Sequence, residues 1–398
     1  MSKPESNRRD FIKRSLHAAA GIAAASLPAE AAAREYSRTD RPVEVEAKMK
    51  NSKTPALTIR FSVIGINHSH IHAQIGALVR NGGQLVSFYA KEPDLASAFS
   101  KRYPEAKLAG SEKEILEDSS IVLIVSASIP LDRAPLGIEA MRHGKDFMVD
   151  KPGIITLKQL EDVRKVQRET KRIYSIMYSE RLENRSTIKA GELVKAGAIG
   201  KVIQTIGLGP HRISAPSRPE WFFDKKYFGG VLCDIASHQF DQFLFFTGST
   251  KAEVVSSQVG NVNHAQYPLF EDFGDVMLRG DGGTGYIRVD WFTPDGLNTW
   301  GDGRLTILGT EGYIELRKYA DIAGREGGNH LFLVDGKQTR YFDCNNEPMP
   351  YGEQLIYDIV NRTETAMSQE HCFLATELAL KAQHQAQKVD LKKPEQKK

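Results

Sequence analysis

The sequence predicts an α/β fold of two domains, a doubly wound parallel sheet followed by an α+β domain with a large, open, mostly antiparallel sheet. Three observations carry this. From Thr58 to about Ser179, short apolar strands alternate with amphipathic helices, the pattern of parallel βαβ units. From there to about residue 387, strands follow one another with few helices between them, which favours antiparallel pairing because parallel pairs need long crossovers. The chain's 398 residues exceed one ordinary core and suffice for two.

Each element has a local reason. Thr58–Ile64 is β-branched and apolar and ends at Gly65. Ala73–Arg80 reads as a helix stopped by Gly82-Gly83, and Leu85–Tyr89 as the second strand. Pro93 opens a helix over 94–102 in the favoured first-turn position. A short helix over 112–117 precedes Ile121–Val125, an apolar run suited to a strand buried on both faces. A helix over Ala134–His143 closes at Gly144, and Asp146–Val149 is the next strand. Leu157–Thr170 is a charged amphipathic helix and Ile173–Met177 the last strand of this domain. Beyond it a helix covers Arg185–Ala196. Strands are expected at Lys201–Leu208, Glu253–Val259, Phe273–Arg279, Thr284–Phe292, Arg304–Leu308, Tyr313–Lys318 and Leu331–Val334. Gly280-Asp281-Gly282-Gly283 joins two of these as a hairpin. Helices over Tyr351–Thr363 and His371–Gln387 close the chain.

Composition removes several functions. The formal charge is +3. Residues 1–33 carry a net +2 and the tail from Lys388 a net +3, so the body is near −2. That argues against a nucleic-acid footprint. No apolar run reaches the roughly 20 residues of a membrane span. The three cysteines, Cys233, Cys344 and Cys372, form neither a disulfide framework nor a CxxC zinc site. Arg8-Arg9-Asp10-Phe11-Ile12-Lys13, an alanine-rich apolar stretch and Ala31-Ala32-Ala33 have the order of a twin-arginine export signal with a cleavage site. The expected organisation is therefore a signal over 1–33, a linker over 34–57, a parallel-sheet α/β domain over 58–179, an α+β domain over 180–387, and a basic tail over 388–398. Export places the protein in the periplasm or outside the cell.

A strand ending in glycine and entering a helix is where a dinucleotide fold presents its pyrophosphate. The full fingerprint, GxGxxG, is met here only at Gly65, because the loop reads Gly65-Ile66-Asn67-His68-Ser69-His70. The acidic ribose-binding position after the second strand aligns with Ala90, followed by Lys91 and Glu92. Asp150-Lys151-Pro152 follows a strand directly, at the carboxyl edge where ligands bind in such sheets. Farther on, Gly229-Gly230 precedes Asp234, His238 and Asp241. Asp234 and His238 are four apart, so one helix would present both on the same face. A histidine there can move a proton while a carboxylate orients it.

These two motifs, in this order and on these flanks, resemble the Gfo/Idh/MocA oxidoreductases, the family of glucose–fructose oxidoreductase and inositol dehydrogenase. The resemblance covers about residues 58–385. The family's Glu-Lys-Pro turn corresponds to Asp150-Lys151-Pro152, and its Thr-Pro-Asn-type segment to Ser128-Ile129-Pro130. It implies a Rossmann domain, bound NAD or NADP, and a sugar, polyol or sugar derivative as substrate. Lys151, His238 and Asp234 are then catalytic. Gly65, Asn67, His68, His70, Lys91, Ser128, Pro130 and Lys151 contact the cofactor, and Arg181, His211, Asp234 and His238 the substrate. Packing of the open sheet in a dimer or tetramer is also implied.

Other readings coexist with this one. An exported enzyme has no free nicotinamide pool, so a tightly held, recycled cofactor is expected. Transient oxidation would also serve glycoside hydrolysis or elimination. A carbohydrate-binding protein that has lost the dinucleotide is the rival from another class, supported by Asn67, His70 and Ala90. His68, His70 and His72 could aim imidazoles at zinc with His211 or His238. The sequence offers no carboxylate at ligand spacing beside that loop, and a helix N-terminus repels cations, so no metal is expected. Trp221, Phe222, Phe223, Trp291 and Phe292 are candidates for a stacking face.

Overall fold

A computed structural model describes residues 57–389. The expected signal over 1–33, most of the linker and the tail from 390 lie outside the described residues.

The first sheet has six parallel strands in the order β3-β2-β1-β4-β5-β6. They are β1 (Ile59–Ile64), β2 (Gly83–Tyr89), β3 (Lys107–Leu108), β4 (Leu123–Ser126), β5 (Asp146–Asp150) and β6 (Tyr174–Met177). The order reverses beside β1, and that switch point opens a crevice at the carboxyl ends of β1 and β4. β4 and β5 are buried along their whole length, which is why Leu123–Val125 and Phe147–Val149 read as short apolar runs rather than as alternation. β3 has two residues at the sheet edge, too short to show any pattern in the sequence. The helices Ile71–Val79, Pro93–Arg102, Pro130–Arg142 and Leu157–Thr170 cross over between strands.

The second sheet has nine strands. Its members β7 (Val202–Pro210), β8 (Ala252–Gly260), β9 (Phe273–Gly280), β10 (Thr284–Asp290), β11 (Arg304–Gly309), β12 (Gly312–Arg317), β13 (His330–Asp335), β14 (Thr339–Asp343) and β15 (Gln387–Lys388) lie in the order β14-β13-β12-β11-β7-β10-β9-β8-β15. Pairing is antiparallel except for β10 with β7 and β15 with β8. One face packs on the helices Ser237–Thr247 and Gln369–Gln385. The register sets Met277, Tyr286, Ile206 and Thr306 in a row across the opposite face, and Met277 and Ile206 stay exposed there.

Two contacts tie the helix Gln369–Gln385 back to the end of the first sheet. Tyr174 donates its backbone N–H to Gln369 Oε1 at 2.8 Å, and Tyr178 Oη lies 2.9 Å from Thr376 Oγ1. The second sheet and the first are thereby held around one cleft.

One expectation fails. Asp234 and His238 do not share a helix, because the chain forms a short helix at Val231–Asp234 and starts another at Ser237. Ile235 and Ala236 stand between them, so the two residues belong to separate helices.

The candidate active site

Gly65 ends β1 at a φ of +80°. A Cβ there would lie 2.5 Å from the Ser128 Cβ, so the turn needs glycine both for its conformation and for its space. This one glycine lets β1 turn against the end of β4. The rest of the loop uses side chains. Asn67 donates through Nδ2 to Glu92 Oε1 at 2.8 Å, closing the ends of β1 and β2. Ala90 stands at the expected acidic position, and the structure brings Glu92 to the cleft instead. Gly65, Asn67, Tyr89, Ala90, Lys91, Glu92, Ser128 and Ile129 line a cavity of about 240 Å³. It lies along the carboxyl edge of β1, β2 and β4. Lys91 is exposed and pairs with Glu112 at 3.5 Å.

A second cavity, of about 300 Å³, lies between the sheets. His68, His70 and Pro130 border it from the first domain. Lys151 comes from the end of β5, and Asp234, His238, His211 and Arg218 come from the second domain. Trp221, Trp291, Trp300 and Tyr319 supply aromatic walls. Phe223 instead stacks on Tyr267, with centroids 3.7 Å apart.

The turn that carries Lys151 is held by Arg133, whose guanidinium is fully buried. It donates to the carbonyls of Ser128 at 2.7 Å, Asp150 at 3.1 Å, Lys151 at 2.6 Å and Pro152 at 3.2 Å. Its other end meets Asp150 Oδ2 at 3.3 Å. An arginine fork can satisfy that many acceptors and a lysine cannot. Lys151 Nζ in turn donates to Asp234 Oδ1 at 2.8 Å. Burial opposes the charge of Asp234, and Lys151 outweighs it, so the carboxyl stays below its ordinary range. Asp234 thus serves Lys151, and no hydrogen bond joins it to His238. The expected Asp234–His238 dyad is corrected on that ground.

His238 faces a different carboxylate. Glu180, from the turn after β6, accepts from Lys318 Nζ at 2.7 Å and from Gln239 Nε2 at 3.0 Å. Burial works against its charge, but Lys318 and His238 hold Glu180 at about 2. Burial pushes His238 down to about 3, with Glu180 opposing and Lys151 assisting. His211 falls to about 4 through burial and Lys151. Burial thus keeps both imidazoles neutral at pH 7. His238 Nδ1 and Glu180 Oε1 are buried without a partner among the described residues, the kind of pair that a substrate or ordered water completes.

Arg181 is placed elsewhere. Its guanidinium makes a bidentate pair with Asp241, both contacts at 2.7 Å, and His371 reaches the same carboxylate at 2.8 Å. It is buried structure and does not border the cavity. His72 is likewise turned away, bonded to Tyr103 Oη at 3.0 Å.

The histidine loop does gather three donors. Nδ1 of His70 is 3.0 Å from Asp150 Oδ1, and Nδ1 of His68 is 3.5 Å from Oδ2. The possible ligand atoms lie within 4.8 Å of one another. The carboxylate absent from the local sequence is supplied by Asp150, from 80 residues away, and His211 and His238 are not in the group. Arg133 shares that carboxylate, and the His70 backbone N–H donates into His68 Nδ1 at 3.3 Å. Each donor is thereby occupied by a hydrogen bond, linking the half-buried His70 to the buried Asp150.

Sequence reasoning passed over Arg133, Lys318 and Tyr319. No motif marks them, since each is defined by what it reaches across the fold. Glu180 and Arg212 stood in segments expected near the cleft, without a role.

A six-stranded parallel sheet with a crevice at its switch point, joined to a large open sheet across a cleft with a buried Lys–Asp pair, defines a two-domain dinucleotide-type oxidoreductase. The comparisons agree. Residues 187–315 match the model of the GFO/IDH/MocA C-terminal domain. A candidate oxidoreductase from Erwinia carotovora atroseptica is 47% identical, covering 84% of this chain and 100% of its own, with a TM-score of 0.82. The scyllo-inositol 2-dehydrogenase (NAD(+)) of Bacillus subtilis is 23% identical over 72% of this chain and 82% of its own. The structure of levoglucosan dehydrogenase in complex with NADH superposes with a TM-score of 0.68 at 17% identity, over 83% of this chain and 98% of that one. The chain belongs to the Gfo/Idh/MocA family of oxidoreductases.

Proposed function

We propose that the protein is an NAD(P)-dependent dehydrogenase of a sugar, polyol or sugar derivative. The observation that carries this is the juxtaposition of Lys151, paired to Asp234 at 2.8 Å, with the neutral His238 in one cavity beside the dinucleotide crevice. Among the relatives, an inositol dehydrogenase and a levoglucosan dehydrogenase support the substrate class.

The crevice fits a dinucleotide. Gly65 makes the tight turn, and Asn67, Glu92, Lys91 and Ser128 would hold the adenosine side, with His68, His70 and Pro130 toward the nicotinamide. When bound, the nicotinamide supplies the hydride acceptor or donor. Lys151 stabilises the negative charge that develops on the substrate oxygen. Asp234 keeps Lys151 charged and aimed. His238 takes the hydroxyl proton in oxidation and returns it in reduction. The aromatic walls exclude water and receive the apolar face of a sugar ring, and a cavity of about 300 Å³ suits a single ring.

The test is a screen of sugars and polyols against purified protein with NAD and NADP, read by nicotinamide absorbance. Lys151→Met should lower turnover at least about 100-fold. No reduction with any sugar or polyol in the presence of either cofactor would reject this reading.

Two further parts of the proposal are separate. Export by the twin-arginine route is supported by Arg8-Arg9 and Ala31–Ala33; Arg8→Lys with Arg9→Lys should leave precursor in the cytoplasm, and undiminished export would end it. Assembly as a homo-oligomer is supported by the exposed Met277, Ile206, Leu308 and Tyr313 on the open face of the second sheet; a monomer in sedimentation velocity would end that.

A further inference from the structure

The cations around the cavity are not equivalent. Lys151 is paired with Asp234, and Arg133 with Asp150 and a ring of carbonyls. Arg212 is paired with Asp295 at 3.3 Å and donates to the carbonyls of Pro294, at 2.8 Å, and Leu297. The two carboxylates that border the cavity are also taken, Asp234 by Lys151 and Glu180 by Lys318. Arg218 differs from all of these. Its Nε donates to the Ile213 carbonyl at 3.0 Å, and it makes no ion pair among the described residues.

The position of Arg218 is nevertheless fixed. Its guanidinium carbon lies 4.5 Å from the centre of the Phe222 ring and 5.4 Å from that of Trp291. Stacking on aromatic faces holds a guanidinium in place while leaving its edge free. The edge is the part that recognises a planar carboxylate through two parallel N–H bonds. Arg218 borders the same cavity as Lys151, Asp234 and His238, and it does not border the crevice beside Gly65. A cofactor phosphate held at Gly65 is therefore a poor candidate for its partner.

We propose that the substrate is a carbohydrate bearing a carboxylate, of the uronic or aldonic acid class, and that Arg218 binds that carboxylate. The sugar ring lies among Trp221, Trp291 and Trp300, with the carbon to be oxidised turned toward Lys151 and His238. One cation without an ion pair among the described residues matches one carboxylate. A phosphate monoester, with a charge of about −1.5 to −2, would bring more negative charge than Arg218 alone can balance. His211 and His238, both neutral, do not compete for the anion and remain for hydroxyl groups. This inference rests on the dehydrogenase reading and deepens it by naming the substrate class.

The experiment uses matched pairs on the purified protein with its dinucleotide bound. D-glucuronate is compared with D-glucose, D-galacturonate with D-galactose, and D-gluconate with D-sorbitol, by calorimetric binding and by nicotinamide absorbance. At least one acid should bind about 30-fold or more tightly than its neutral partner, the value of a charge-assisted contact to a half-buried arginine. Arg218→Gln should collapse that preference to about twofold or less, and Arg218→Lys should restore part of it. The melting temperature and NADH affinity of both variants serve as controls for folding and for the cofactor site. Equal affinity for acid and neutral partner in every pair would overturn the proposal. So would an Arg218→Gln variant that retains the preference, or one that loses NADH affinity in step with sugar affinity. Oxidation of the neutral sugars alone sinks this inference and leaves the dehydrogenase reading standing. Silence from every pair counts against both.

Discussion

Lys151 and Asp234, 83 residues apart in sequence, meet at 2.8 Å with both side chains largely withdrawn from water. Burying two charges is costly unless they pair well, and removing one partner leaves the other uncompensated. Asp234→Asn should therefore lower turnover by about 10- to 100-fold, and Lys151→Met by at least as much. The double variant should be little worse than Lys151→Met alone. A double-mutant cycle on kcat tests this, and strictly additive losses would separate the two residues.

Arg133 predicts an effect on activity from a residue that need not touch substrate. Arg133→Met strips four carbonyls and the Asp150 carboxylate of their donor. Stability should fall by about 3–5 kcal/mol, measured by urea unfolding. Arg133→Lys keeps the charge and loses the fork, so it should fold, with kcat reduced about tenfold and KM nearly unchanged. An Arg133→Lys enzyme with wild-type kcat would show that the turn holds itself.

At Gly65, alanine meets both a φ of +80° and the Ser128 Cβ at 2.5 Å. Gly65→Ala should cost about 1–3 kcal/mol of stability and weaken NADH binding at least tenfold, read by fluorescence titration. Gly65→Ala with Ser128→Gly should recover part of the loss by removing the clash while the backbone strain stays.

The buried histidines make stability depend on pH. The folded state holds His211 at about 4 and His238 at about 3, below the ordinary value near 6.5. The unfolded chain thus takes up protons first as the pH falls. Stability from keeping these groups neutral is complete above about pH 6.5 and declines as the pH drops toward 4. Each histidine adds a slope approaching about 1.4 kcal/mol per pH unit in that window. Below about pH 4.5 Glu180 and Asp241, both held at about 2, steepen the loss. His211→Gln with His238→Gln should flatten the segment between pH 6.5 and 4.5 in urea titrations, and an unchanged slope there would assign it to other groups.

How much of this was legible in the chain follows from the range of each signal. Apolar runs such as 121–125 and 146–149 announced the parallel sheet because a strand buried on both faces needs no partner to be recognised. β3, β14 and β15 are not legible in the sequence, β3 and β15 being two residues long and β14 half-exposed with no distinct period. The Asp150-Lys151-Pro152 turn was readable because strand end, charge and proline lie in consecutive positions. Gly65 was readable for the same reason.

The sequence by itself determined the two domain types, the order of their elements and the position of Lys151 at a sheet edge. These depend on periodicity and on neighbours within a few residues. Only the tertiary structure decided the partners: Asp234 to Lys151 and not to His238, Glu180 to Lys318, Glu92 to Asn67, Asp150 to the histidine loop, and Arg218 to no carboxylate among the described residues. A buried charge must find its counter-charge wherever the packed chain brings one within about 3 Å, and that distance is set by how the two sheets close on each other, which no local spacing records.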